Sequence, residues 1–268
     1  LARRGDLKSI SASGRSDGMA METRAGQEVS AGRLLVIALC VGLGIWFWDS
    51  PVLAPLKLLV VMMHETGHAL AHLLVGGSVK QINISPDQSG FCIAAIPVGA
   101  FNQIVVSSAG YLGSAVAASL LLLGTLRLRM RRAIPILLTA WLLVMTIGYV
   151  RDLFTLVFSL GTAAALLAAA RWLPDEGVDF VNLFLAAFSA LYALFDLRSD
   201  LWNSEIRARS DAAILAGATY VPAIVWAVIW TVIGVLIVGV TLRFCLSSRK
   251  KPAPLPADPL AQVRGRMR

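Results

Sequence analysis

The sequence predicts an all-α polytopic membrane bundle with a small β-hairpin. Three observations carry this reading. First, 57% of the 268 residues are hydrophobic and only 15% are charged, whereas soluble domains carry about 25% charged residues. Second, the apolar residues fall in long runs, and mean hydropathy is +0.73, as membrane helices require. Third, one short segment breaks this pattern with two β-prone runs around a turn sequence.

Apolar runs near 34–48, 53–75, 102–126, 133–150, 153–170, 180–196 and 220–242 predict about six to seven transmembrane helices. The first run is short for a hydrocarbon core of about 30 Å, which needs around 20 residues. Between the second and third runs lies "VKQINISPDQSGFCIAAIP", residues 79–97. Its β-branched residues flank "PDQSG", so it reads as a hairpin at the membrane interface. Strand edges are tolerated at that depth only where protein or a wet cavity covers them. The stretch 197–219, "LRSDLWNSEIRARSDAAILAGAT", is polar and then mildly amphipathic, and is expected to lie along the surface.

Three parts are expected: an N-terminal tail over 1–32, a membrane domain over 33–245 and a basic tail over 246–268. The N-terminal tail is rich in Arg, Ser and Gly without apolar periodicity, which predicts disorder. No small-residue cleavage site follows it, so it does not read as a signal peptide. The chain begins with Leu1, which leaves two readings: a start at Met19 or Met21, or a fragment of a longer chain. The C-terminal "SRKKPAPLPADPL" reads as a disordered cytoplasmic tail.

The net charge of +8 does not predict nucleic-acid binding. Its basic residues gather in the tails and in "RLRMRR" at 127–132, the pattern of cytoplasmic loops. No aromatic interleaving or nucleic-acid motif accompanies them. Four predicted helices separate the loop from the C-terminus, so both fit the cytoplasmic side. Counting back places the mildly basic N-terminus outside, unless the first run does not span or the hairpin region crosses. The partners implied are the lipid bilayer and a membrane-protein substrate, and the expected location is the plasma membrane. Cys40, Cys92 and Cys245 are far apart and suggest neither a thiolate zinc site nor a disulfide framework.

The chemistry concentrates in "VVMMHETGHALAHLLVGG", residues 60–77. An ionisable group at a membrane-helix centre costs roughly 2.5–3.5 kcal/mol on insertion scales, so such groups are usually functional. His64 and His68 are four residues apart and share one helix face, and Glu65 leans toward it. This is the HExxH pattern of zinc peptidases, in which two imidazoles hold Zn²⁺ and the glutamate is the base. The bland alternative is that these side chains satisfy one another. His72 lies about 12 Å from His64 along the axis, too far to share one ion, and reads as a supporting or interfacial residue. The chain holds three histidines, so a third ligand must be a carboxylate.

Asp49, Asp152, Asp196, Asp200 and Asp211 are the candidate carboxylates. Asp49 is expected to cap the turn before Pro51, and Asp152 to pair with Arg151. Asp211 in "RSDAAI" reads as a helix N-cap. Asp196 ends "FVNLFLAAFSALYALF" and is the expected ligand, with Asp200 as first reserve, then Asp152 and Asp211.

These residues resemble the site-2 protease family of intramembrane zinc metalloproteases (M50-type peptidases). The resemblance rests on "HETGHALAHLLVGG" in an apolar helix, the hairpin after it, and "SSAGYLGSAVAASLLL" at 107–122. It covers about residues 50–245 and points to a compact, divergent branch without a PDZ insertion. It implies a membrane-embedded zinc endopeptidase whose third ligand is an aspartate in a late core helix, usually within Leu-Asp-Gly. The nearest match is "LFDLRSD", where Phe195 and Leu197 flank Asp196. Gly67 reads as an opening beside the metal for backbone or substrate, and Gly110 and Gly113 as helix-packing positions. A catalytically inactive scaffold of the same fold is the rival reading, and a transporter with buried charges is a third.

Overall fold

The computed structural model describes residues 34–202 and 210–247, and side chains outside 193–202 within them. The expected tail over 1–32 lies outside the described residues, as does the C-terminal tail from 248. Eight helices are described: α1 (Leu34–Trp46), α2 (Ala54–Leu74), α3 (Ala100–Leu122), α4 (Ala133–Tyr149), α5 (Leu153–Trp172), α6 (Asp175–Trp202), α7 (Asp211–Thr219) and α8 (Ala223–Leu246). A π-helical stretch, Leu123–Leu128, prolongs α3. All seven apolar runs are helical, and α7 is an addition. Among the described residues, α3 with its extension, α5 and α8 are long and apolar enough to span a membrane. The chain is thus an integral membrane protein built as a helical bundle. Fewer helices meet that requirement than the six to seven expected. The α1–α2 pair is bent by 119° and counts at most as a fourth span, and α4 is short.

The bend follows from local chemistry. The Ser50 hydroxyl accepts a hydrogen bond from the Val52 amide and caps a 3-10 turn, Pro51–Leu53, before Pro55 sets the first turn of α2. Ser50, rather than Asp49, therefore caps this turn. A hydroxyl N-cap satisfies an otherwise orphaned amide, and proline is pre-organised for a first helical turn. Trp48 pins the corner. Its ring stacks on Phe188 of α6 at 5.9 Å, and the Lys57 ammonium lies 4.5 Å from its centroid. Such a cation–π contact contributes about 0.5–2 kcal/mol.

Helix α2 is the central element, and 13 of its side chains are buried, including Glu65, His68 and His72. It ends in a Schellman motif. Gly76 has φ +80°, the Gly77 amide donates to the His72 carbonyl at 2.8 Å, and the Gly76 amide donates to that of Leu73 at 3.1 Å. Glycine suits that left-handed position because it has no Cβ to clash. The chain then turns directly into the hairpin.

Strands β1 (Ser78–Ile84) and β2 (Gly90–Ala95) pair antiparallel from Ser78↔Ala95 to Ile84↔Gly90, with an irregularity between Val79 and Gln81. The expected hairpin is present. In its turn Asp87 accepts from the Ser89 amide and hydroxyl, and these bonds hold the Asp87 carboxyl below its ordinary range. Protein covers the outer edge of β1. Ile82 bridges Val150, and Thr155 Oγ1 both accepts from the Ile84 amide at 3.0 Å and donates to its carbonyl at 3.2 Å. Strand β2 pairs with no further strand among the described residues, and Phe91 and Ile93 are exposed on it.

Helix–helix contact in lipid relies on close packing rather than on the hydrophobic effect. The α2–α3 crossing meets that demand with glycine. A Cβ at Gly67 would overlap the Ala109 carbonyl, and one at Gly113 would stand 3.2 Å from the Gly67 Cα. Asp152 does not pair with Arg151. It caps α5 by accepting from the Thr155 amide at 2.8 Å, while Arg151 donates to the carbonyls of Val150 and Gly148. At one end of the bundle Arg131 and Arg132 grip the exposed Asp175. The hydrogen bond from Arg132 leads in holding the Asp175 carboxyl below its usual range. At the same end Arg127 donates to the Ser247 carbonyl at 3.1 Å, joining the "RLRMRR" loop to the C-terminus of α8.

Candidate metal centre

Three residues of α2, His64, Glu65 and His68, and one of α7 build the site. The i,i+4 spacing puts His64 and His68 on one face, with ring centroids 4.7 Å apart and their Nε2 atoms 3.0 Å apart. Asp211 completes the group: its Oδ2 lies 3.2 Å from His64 Nε2 and 3.1 Å from His68 Nε2. The three donor atoms form a nearly equilateral triangle, and all three side chains are largely shielded from solvent.

The third corner corrects the reading of α7. Segment 197–219 was expected along the surface, with Asp211 as an N-cap. Instead Ser210 is the cap, its hydroxyl accepting from the Ala213 amide at 3.3 Å. That leaves the Asp211 carboxylate, in the first helical turn, turned to the histidines. Ala212 and Leu215 are buried among Tyr111, Ala227 and Trp230, which fixes α7 in the bundle. Among the described residues, Asp211 is the carboxylate that meets the two histidines. Asp196 belongs to α6, and its side chain, like that of Asp200, lies outside the described residues.

The imidazole of His68 has its tautomer set by a neighbour. Its Nδ1–H donates to the Val106 carbonyl of α3 at 2.8 Å. A carbonyl can only accept, so the proton belongs on Nδ1 and the Nε2 lone pair faces Asp211 and His64. Gly110 leaves the space for both rings. A Cβ there would overlap His64 Nε2 and lie 2.5 Å from His68 Nε2. Sequence reading gave Gly110 to helix packing, yet its absent side chain faces the histidines. Gly67 allows backbone to approach, as expected, but the backbone is that of α3.

Glu65 is buried beside the hairpin. A Cβ on Gly90, the first residue of β2, would stand 2.8 Å from Glu65 Oε1 and 2.9 Å from its Cγ. Glycine at position 90 therefore makes room for the carboxylate. His72 does not join the triangle. It is buried at the base of the hairpin, where the Gly77 amide binds its carbonyl, and its Nδ1 has no hydrogen-bond partner among the described residues.

The donor set fits a metal ion. Two imidazole nitrogens and one carboxylate oxygen, all within 4.8 Å of one another, leave three lone pairs converging on one point. A single proton bridges two such atoms, whereas a cation meets all three. In a tetrahedral zinc site with ligands at about 2.0–2.2 Å, neighbouring ligand atoms stand about 3.3 Å apart or slightly more. The observed edges of 3.0–3.2 Å are close to that. Two His and one carboxylate is also a ligand set that leaves a fourth zinc position open for catalysis.

Comparison with known proteins agrees in kind. No curated protein and no solved structure matches the chain. The family described as Peptidase M50B-like matches over residues 36–241, a span that runs from α1 to α8 and includes the whole triangle. The chain belongs to that family, a branch of the site-2 proteases.

Proposed function

We propose that the protein is an intramembrane zinc-dependent endopeptidase that hydrolyses peptide bonds in or near membrane segments of other proteins. His64, His68 and Asp211 hold the metal, and Glu65 is the general base. The observation that carries this reading is the buried triangle of two Nε2 atoms and one Oδ2 with edges of 3.0–3.2 Å. Asp211 replaces Asp196 as the proposed third ligand because, among the described residues, it is the carboxylate at the histidines.

Bound zinc would supply Lewis-acid chemistry, polarising a carbonyl and lowering the pKa of water to about 7. The protein supplies the rest. Val106 keeps the His68 lone pair directed at the site. Glu65 accepts the proton of the attacking water and passes it to the leaving amide nitrogen, a role worth about 10²–10⁴-fold. Burial shields this carboxylate from bulk solvent. Strand β2 starts beside Glu65 and offers a strand edge on which a substrate segment can be held extended. A protease needs that, because a helical substrate hides its carbonyls in internal hydrogen bonds.

We assign the "RLRMRR" loop and the C-terminus of α8 to the cytoplasmic face of the plasma membrane. Their meeting at one end of the bundle supports a common side, and their charge favours the cytoplasm. The test is cleavage of a membrane-segment peptide by the purified chain in detergent. Chelation should stop cleavage and zinc should restore it. Zinc-independent cleavage, or zinc binding without any cleavage of a panel of membrane segments, would overturn the assignment.

A further inference from the structure

The metal ligands are backed by aromatic residues that the proposed chemistry does not use. Tyr111 of α3 meets His64 edge to face, with centroids 4.7 Å apart and planes at 89°. On Tyr111 lies Trp230 of α8, stacked at 5.1 Å and 22°. The Trp230 indole N–H donates to Ser108 Oγ at 3.0 Å, which fixes the rotation of its ring. Both rings are buried, Trp230 to 2% exposure. They share a cluster with Ala212 and Leu215, the residues that seat α7 and hence Asp211. Two of the three donors are therefore set by one aromatic pair: His64 through the ring edge, and Asp211 through its helix.

The far side of the pair explains why it is needed. Tyr111 and Trp230 also line an apolar cavity of about 290 Å³ among α1, α3, α6 and α8, with Ala115, Ala187, Ala190 and Gly234. Where Ala115 of α3 faces Gly234 of α8, the pair presents small residues, and the two rings supply the bulky contact beside them. An aromatic pair contributes packing beyond its buried area, and its offset or edge-on geometry is directional.

We propose that Trp230 and Tyr111 are positioning residues of the metal centre, a stacked pair that holds His64 and the Asp211 helix in ligating geometry and walls them from the apolar cavity. This rests on the metal reading above. Neither residue touches the reacting atoms. They act through His64 and α7, so their loss should be read in metal affinity. Residues that orient a ligand typically change metal affinity by about 10–100-fold when lost.

The experiment measures zinc affinity by chelator competition on the full chain in detergent, beside thermal unfolding of the metal-free protein. Trp230→Leu should weaken zinc about 10-fold, and Trp230→Phe, which keeps a ring to stack but loses the bond to Ser108, should restore affinity to the few-fold deficit of Ser108→Ala. Phe188→Leu is the control, because Phe188 is equally buried but belongs to the main core cluster and not to the one that holds Tyr111, Trp230 and α7. It should lower the unfolding temperature without changing zinc affinity. Ser108→Ala frees the indole and should weaken zinc by a few-fold, and it serves as the decisive arm if Trp230→Leu does not fold. Unchanged affinity in Trp230→Leu or, failing that, in Ser108→Ala overturns the proposal, as does an equal loss in Phe188→Leu. His64→Ala separates the two readings. If it leaves zinc affinity intact, the metal reading itself fails, whereas loss of zinc there with none in the Trp230 variants sinks only the positioning role.

Discussion

Asp211 Oδ2 lies 3.2 Å from His64 Nε2, although 147 positions of chain separate the two residues. The contact joins α7 to α2, and α3 and α8 hold both ends of it. Four predictions follow from the geometry around this contact.

Glu65→Gln should retain zinc and lose proteolysis by about 10²–10⁴-fold, because the amide keeps the shape and removes the base. Metal content and cleavage rate measured on one preparation check this. Undiminished cleavage would remove Glu65 from the mechanism.

Gly110→Ala should strip the protein of zinc while leaving its helical content in place. The new methyl group would occupy the space of the His64 and His68 Nε2 atoms. Gly148→Ala, where the added Cβ meets nothing within 4 Å, is the matched control and should bind zinc normally. Full zinc content in Gly110→Ala would contradict the described crossing of α2 and α3.

Thr155→Val should loosen the hairpin. Its hydroxyl serves both the amide and the carbonyl of Ile84, and burying either group unpaired costs about 1–3 kcal/mol. Faster hydrogen exchange at the Ile84 amide is the expected signature, with zinc content unchanged. Unaltered exchange would mean that the β1 edge is held by other groups.

Much of this site was legible in the sequence because its signals are local. The four-residue spacing of His64 and His68 puts both on one helix face wherever the helix lies. "PDQSG" between β-prone runs is a turn whatever surrounds it, and the hairpin appears with nearly the expected bounds. The third carboxylate was not legible in this way. "RSDAAI" offers two adjacent capping residues, and local chemistry does not say that Ser210 takes the cap and frees Asp211. Which distant carboxylate meets the histidines is decided by the packing of α7 on Tyr111 and Trp230, and residue spacing does not encode that contact. Gly110 was found as a packing glycine for the same reason, since the histidines in front of it belong to another helix.

The most direct test of the metal centre is the zinc content of two variants purified in parallel, Asp211→Ala and Asp196→Ala. With the triangle of His64, His68 and Asp211 as the ligand set, Asp211→Ala should lose stoichiometric zinc, because the site keeps only two of its three protein donors. Asp196→Ala should keep it. Stoichiometric zinc in Asp211→Ala together with its loss in Asp196→Ala would contradict the account and return the third ligand to α6.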